Sequence, residues 1–240
     1  VTFLPCRWFI FIPTKVFCIC LQFLVSLSKQ ETAMKFADFK NNAELLAYFG
    51  LQVQKTHFID LKAIEELPLP AYLEADFDFV LSNRGDTDME FYACEFLISP
   101  LLKEAWKRNP RAKLYSHPKI KYEDLVLVPD YVVAPKNKTG EDVFGKPLLI
   151  TVEAKHDDYD LGWSDAYKQL IVARFLNANE QIPIYGLVSI GKGWEFGKLD
   201  GKIIYRHPST VGLDNPNKLL GILDFIFADC VKTAEKFDMF

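Results

Sequence analysis

Three charged residues interrupt otherwise apolar runs: Asp130 in Val128-Pro129-Asp130-Tyr131-Val132-Val133, and Glu153 and Lys155 in Leu148-Leu149-Ile150-Thr151-Val152-Glu153-Ala154-Lys155. An ionised group in a buried strand is costly unless it is paired or binds a metal ion. Side chains alternate across a strand, so Glu153 and Lys155 share one face while Val152 and Ala154 take the other. Two carboxylates facing one cavity suit Mg²⁺, a hard cation that takes oxygen ligands and keeps several waters. The competing reading is an ion pair of Lys155 with Asp130 or Glu153 that only stabilises a hairpin. Two carboxylates against one lysine would leave surplus negative charge, which a cation would cancel.

The elements that must position these residues follow from periodicity. Both runs read as buried strands of a hairpin, joined through the polar insert Lys136-Asn137-Lys138-Thr139-Gly140-Glu141-Asp142. Ahead of them, a helix is expected from Thr87 to Lys107, with Phe91, Cys94, Ile98, Leu101 and Ala105 as its apolar stripe. Glu95 sits beside that stripe in nearly apolar surroundings. It is either turned to a polar cavity, paired with a cation, or at the exposed edge of the helix. Glu90, in the first turn, reads as serving the helix dipole. Ala112 to His117 reads as an edge strand.

After Lys155, Asp157, Asp158 and Asp160 read as a solvated loop and helix start, and the helix that follows carries Gln169. Pro183 to Ile190 is a further strand, Trp194 to Tyr205 a hairpin turning at Asp200-Gly201, and Asn215-Pro216 opens a last helix. Gly191-Lys192-Gly193 lacks the spacing of a phosphate loop and reads as a tight turn.

Three regions are expected. Residues 1–33 are an apolar stretch, read as an extension outside the working domain, with a signal peptide or single-pass membrane anchor as the competing reading. Residues 34–82 form a helical lead-in, with a short helix from Asn42 and another through Leu73, Phe77, Val80 and Leu81. Residues 83–240 form the main domain.

With 240 residues, half of them hydrophobic, the chain can bury a substantial core. A net charge of −4 argues against a constitutive, sequence-blind binder of nucleic acid, yet allows an acidic site that needs a divalent cation. The five cysteines show no Cys-x-x-Cys pair with histidine partners, and the four histidines lack metal-ligand spacing, so zinc is not expected. Reduced thiols and a cytoplasmic location follow from the same pattern.

The order of elements, with Pro129-Asp130 and Glu153-Ala154-Lys155, resembles the PD-(D/E)XK nuclease superfamily. The flanking stretches Phe96 to Leu102, Gly162-Trp163, Ile184-Tyr185-Gly186, Trp194 to Leu199 and Leu220 to Asp224 resemble a family of uncharacterised cyanobacterial proteins of that fold. The resemblance implies an α/β fold with a restriction-endonuclease-like core, a mixed central sheet of four to five strands flanked by helices. It also implies Mg²⁺- or Mn²⁺-dependent phosphodiester hydrolysis of nucleic acid, DNA first, with a homodimer where both strands are cut. Asp130 and Glu153 would be metal ligands, with the Ala154 carbonyl as an additional one and Glu95 completing the metal site directly or through water. Lys155 would orient or help deprotonate the attacking water, or neutralise developing charge, and Gln169 would position the lysine or contact substrate. A catalytically inactive relative serving as a binding or scaffold module is the alternative.

Overall fold

The computed structural model describes residues 35–85, 90–136 and 145–238. The apolar extension, most of the insert between the two central strands and the expected helix start at Thr87 lie outside them. The chain divides between Asp38 and Phe39 into two compact units. Of the first, the described part is a 3-10 turn, Phe36–Asp38, in which the Asp38 carboxylate accepts a hydrogen bond from the Lys35 amide.

The second unit is an α/β fold built on one large mixed sheet. It opens with α1 (Asn42–Tyr48), whose N-cap is Asn41: its side chain accepts from the Glu44 amide at 2.9 Å. Then follow β1 (Gln52–Lys55) and α2 (Ala71–Asn83). A continuous helix, α3, is made of Glu90–Ala93, a π turn at Cys94–Ile98, and Ser99–Arg108. β2 (Ala112–Ser116) precedes a small separate hairpin, β3 (Ile120–Tyr122) with β4 (Leu125–Leu127). The expected central pair is present as β5 (Tyr131–Pro135) and β6 (Ile150–Ala154), antiparallel to each other. α4 (Tyr159–Asn177) is followed by β7 (Ile184–Ser189), β8 (Gly193–Asp200), β9 (Ile203–Arg206), β10 (Val211–Gly212) and α5 (Pro216–Lys236).

The sheet has eight strands rather than four or five, in the order β1-β9-β8-β7-β6-β5-β2, with β10 beside β8. Among the described strands only β6 with β7 and β1 with β9 run parallel. The additional strands are short and carry little periodic signal. β1 reads Gln-Val-Gln-Lys and is exposed along its length, so only its pairing with β9 makes it a strand. Within residues 34–82, expected as a helical lead-in, β1 thus contributes an edge strand, and α2 adds Leu73, Phe77 and Val80 to the core.

Alternation along β5 to β8 sorts the sheet into two faces. Tyr131, Val133, Ile150, Val152, Leu187 and Phe196 belong to the core shared with α2, α3 and α5. The opposite face receives α4 at short range, because β7, β8 and the helix give up side chains there. A Cβ on Gly162 would lie 2.4 Å from Val188 Cγ1, and one on Gly197 would lie 2.5 Å from the Trp163 ring. Glu153 stands on this α4-covered face, one strand from Val188 in register. Among the described residues no helix is long and apolar enough to cross a membrane.

Candidate active site

Asp130 sits immediately before β5 and is buried. Its Oδ2 accepts the Ala154 amide hydrogen at 2.7 Å, tying the start of one central strand to the end of the other. Its Oδ1 lies 3.4 Å from His117 Nε2. His117 holds a left-handed backbone, φ 48°, with its amide donating to the Asp130 carbonyl at 2.8 Å and its Nδ1 2.8 Å from Ser116 Oγ. A non-glycine residue in that conformation is held there by its surroundings. Burial raises the Asp130 carboxyl above its ordinary value, against the lowering effects of the Ala154 amide and His117.

Glu153 is the second buried carboxylate of this face. Its Oε1 pairs with the Lys155 amine and its Oε2 accepts the Gln169 side-chain amide, a contact delivered by α4. Burial nevertheless pushes the carboxyl up to about 7, because desolvation outweighs the lysine and Asp130 adds repulsion. Lys155 goes the other way. Burial alone would lower it, yet the hydrogen bond and charge of Glu153, with Glu90 and Asp165 behind, hold it well above the ordinary lysine value. Its amine lies 3.3 Å from Asp165 Oδ2 and 3.8 Å from Glu90 Oε2. Asp165 also pairs with Lys168 at 2.9 Å.

The structure therefore brings together Asp130, Glu153, Lys155 and Gln169 from three places in the chain: the start of β5, the end of β6 and α4. Ala154 enters through its amide, which holds Asp130. Glu95 does not join them: it is exposed and makes no hydrogen bond or ion pair with any described residue. The reason is helical phase. The buried side of α3 runs through Ala93, Cys94, Leu97, Ile98, Leu101 and Ala105, and Glu95 is turned away from it. Phe91, expected in the stripe, is 71% exposed for the same reason.

Glu90 takes the place expected of Glu95, since it precedes Ala93 and Cys94 by three and four residues and so shares their side. Burial raises its carboxyl, Lys155 lowers it, and Asp130 and Asp165 raise it further. The π turn settles the phase between Glu90 and the rest of the helix. The Cys94 carbonyl accepts from the Ser99 amide, five residues on, and from the Tyr131 hydroxyl at 2.9 Å.

His117 and Asp165 were not singled out by sequence, and Glu90 was read only as serving the helix dipole, whereas its carboxylate lies 3.8 Å from the Lys155 amine. Asp165 was accessible, lying four residues before Gln169 on the same side of α4. Asp158 bears out its reading as a helix start, accepting from the Leu161 amide at 2.9 Å. Gly191, at φ 82°, lies in the tight turn expected between β7 and β8.

Four carboxylates, Glu90, Asp130, Glu153 and Asp165, face two ammonium groups, Lys155 and Lys168. Among the described residues no three histidine, cysteine or acidic side chains stand as a ready-made ligand group. The donor chemistry still fits a hard divalent cation: the oxygens are carboxylate, charge is in surplus, and burial first, with neighbouring carboxylates behind it, raises Glu90, Asp130 and Glu153. Among the described residues, Cys94 is a thiol that feels this cluster: it is pushed up to about 12 by burial first and by Asp130 and Glu90 next. Compared with protein-family models and with curated proteins, the chain matches none, so the reading of the site stands on its own geometry and chemistry.

Proposed function

We propose that this chain is a divalent-metal-dependent nuclease with a restriction-endonuclease-like core, hydrolysing phosphodiester bonds in nucleic acid, DNA first. The observation that carries the reading is the meeting of Asp130, Glu153 and Lys155 on one sheet face with more negative charge than the lysines offset. Asp130 and Glu153 would hold Mg²⁺ or Mn²⁺, with the Ala154 carbonyl beside them. Such an ion lowers the pKa of a bound water and offsets charge on the phosphoryl oxygens.

The chain's own residues then divide the remaining work. Lys155, held charged by Glu153, Glu90 and Asp165, orients the attacking water and meets the negative charge that develops on phosphate. Gln169 fixes one Glu153 oxygen and so leaves the carboxylate a defined orientation. The Ala154 amide does the same for Asp130, and His117 Nε2 stands 3.4 Å from its second oxygen.

The test is cleavage of labelled single- and double-stranded DNA and of RNA, with Mg²⁺, Mn²⁺ or EDTA. Asp130→Asn, Glu153→Gln and Lys155→Met each lower the rate by about a thousandfold or more with unchanged circular dichroism. Glu90→Gln costs more than Glu95→Gln. Absence of metal-dependent cleavage on every substrate, together with no divalent-ion binding by calorimetry, overturns the reading and leaves the inactive binding or scaffold module.

A further inference from the structure

An acidic chain has little reason to gather cations in a concavity unless something anionic goes there. Such a concavity, about 420 Å³, is lined by Leu81, Arg84, Gly85, His156, Asp157 and Lys192. Arg84 and Lys192 form no ion pair with any described residue, while Asp157 Oδ2 lies 3.7 Å from His156 Nδ1. Arg84 brings a planar fork of donors and Lys192 a compact ammonium, the two side chains suited to phosphate oxygens.

The cavity adjoins the carboxylate cluster through the covalent chain. His156 directly follows Lys155, and Lys192 sits in the turn after β7, whose Ser189 carbonyl accepts the Lys155 amide at 2.9 Å. That turn rests on α3: a Cβ on Gly191 would lie 2.9 Å from Ala93 Cβ, one turn from Glu90. Both features thus stand at the carboxyl ends of β6 and β7, a parallel pair and the usual end for ligands in an α/β sheet.

We infer that this cavity is a phosphate subsite, in which Arg84, Lys192 and His156 bind a backbone phosphate of a nucleic-acid strand adjoining the one held at Asp130 and Glu153. The inference rests on the nuclease reading above. It supplies what the acidic centre lacks, a positive anchor that sets which bond of the strand lies over the carboxylates. Mononucleotide-sized substrates, which cannot span both places, are then poor ones.

The experiment measures binding of a fluorescein-labelled single-stranded DNA 20-mer by anisotropy in EDTA across a salt series, using the full chain. The proteins compared are the wild type, the double variant Arg84→Ala/Lys192→Ala, and the control Lys62→Ala/Lys232→Ala, which removes the same charge elsewhere. The double variant is expected to bind about tenfold more weakly, and its salt slope to fall by roughly 0.7 for each phosphate it no longer neutralises. The control keeps the wild-type slope. In cleavage assays the double variant raises KM far more than it lowers kcat.

Equal binding by all three proteins, or equal weakening in both variants, overturns the inference. So does competition in which inorganic phosphate occupies the cavity while the oligonucleotide binds regardless of Arg84 and Lys192. Cleavage by the wild type with no effect of the double variant sinks the subsite and spares the nuclease. Binding that depends on Arg84 and Lys192, with no cleavage in any metal, sinks the nuclease and spares the phosphate site.

Discussion

Glu153→Gln gives the most direct check on the electrostatics of the site. In the folded chain this carboxyl sits at about 7 against an ordinary 4.5, with burial as the main cause. The folded state therefore binds the proton more tightly than the unfolded state. Between those two values it holds more protons, and stability must fall as pH rises. The full displacement is worth about 3 kcal/mol, present below pH 4.5 and lost by the time pH passes 7. Little solvent discount applies, because the side chain is 9% exposed.

Glutamine keeps the shape and an acceptor for Gln169 but cannot ionise, so the variant lacks this slope. Urea denaturation in EDTA at pH 5, 6, 7 and 8 reads the difference. Relative to wild type, the variant gains up to about 3 kcal/mol between pH 5 and pH 8. His207, lowered by burial, works in the opposite sense but is common to both proteins and cancels. A fixed offset from the altered partner of Lys155 also leaves the slope untouched. Parallel curves for the two proteins would refute the claim that Glu153 is held above its ordinary value by burial.

Two further substitutions test how the scaffold holds the site. Gly162→Ala places a methyl 2.4 Å from Val188 Cγ1 and 3.4 Å from Lys155 Cγ, which forces α4 away from β7. It should cost about 1 to 3 kcal/mol in denaturation and lower cleavage as well, since Gln169 and Asp165 ride on α4; unchanged stability would show that the helix does not seat there. Tyr131→Phe removes the hydroxyl that donates to the Cys94 carbonyl. Because the Ser99 amide still serves that carbonyl, the cost in urea denaturation should stay at about 1 kcal/mol, and a cost several times larger would mean that the π turn depends on the tyrosine alone.

What the sequence made legible was local. The hairpin of β5 and β6, the Asp200-Gly201 turn with Gly201 at φ 54°, and the Asn215 cap of α5 each rest on a few adjacent residues. β1 was legible only as a brief extended piece expected around Val53 to Leu61, and its place as a sheet edge comes from β9, some 150 residues later, lying beside it. The two glutamates of α3 show a subtler limit. Apolar neighbours left Glu95 open between a polar cavity and an exposed edge, and burial on a helix is decided by position around the axis, where the residues three and four places away matter more than the adjacent ones. His117 had no local mark at all. Its left-handed backbone and its place beside Asp130 come from the chain turning back between β2 and the β3-β4 hairpin.

The arrangement also argues against a purely structural purpose. Breaking one member of a buried charge cluster is costly, yet replacing the whole of it with well-packed apolar side chains is often neutral or stabilising. The surrounding face is made for such packing, with Val188, Gly186 and Gly197 closing against Gly162, Leu170 and Trp163 of α4. A hairpin that needed only stability would continue that pattern through position 153. Instead Glu153 is kept above its ordinary value, Lys155 is shared among three carboxylates, and Arg84 and Lys192, which pair with no described carboxylate, line a cavity at the same end of the parallel pair. Acidic and basic groups held apart at one sheet end suit a ligand that is itself charged at intervals along its length. A phosphodiester strand, with a metal at one phosphate and arginine and lysine at the next, meets that description.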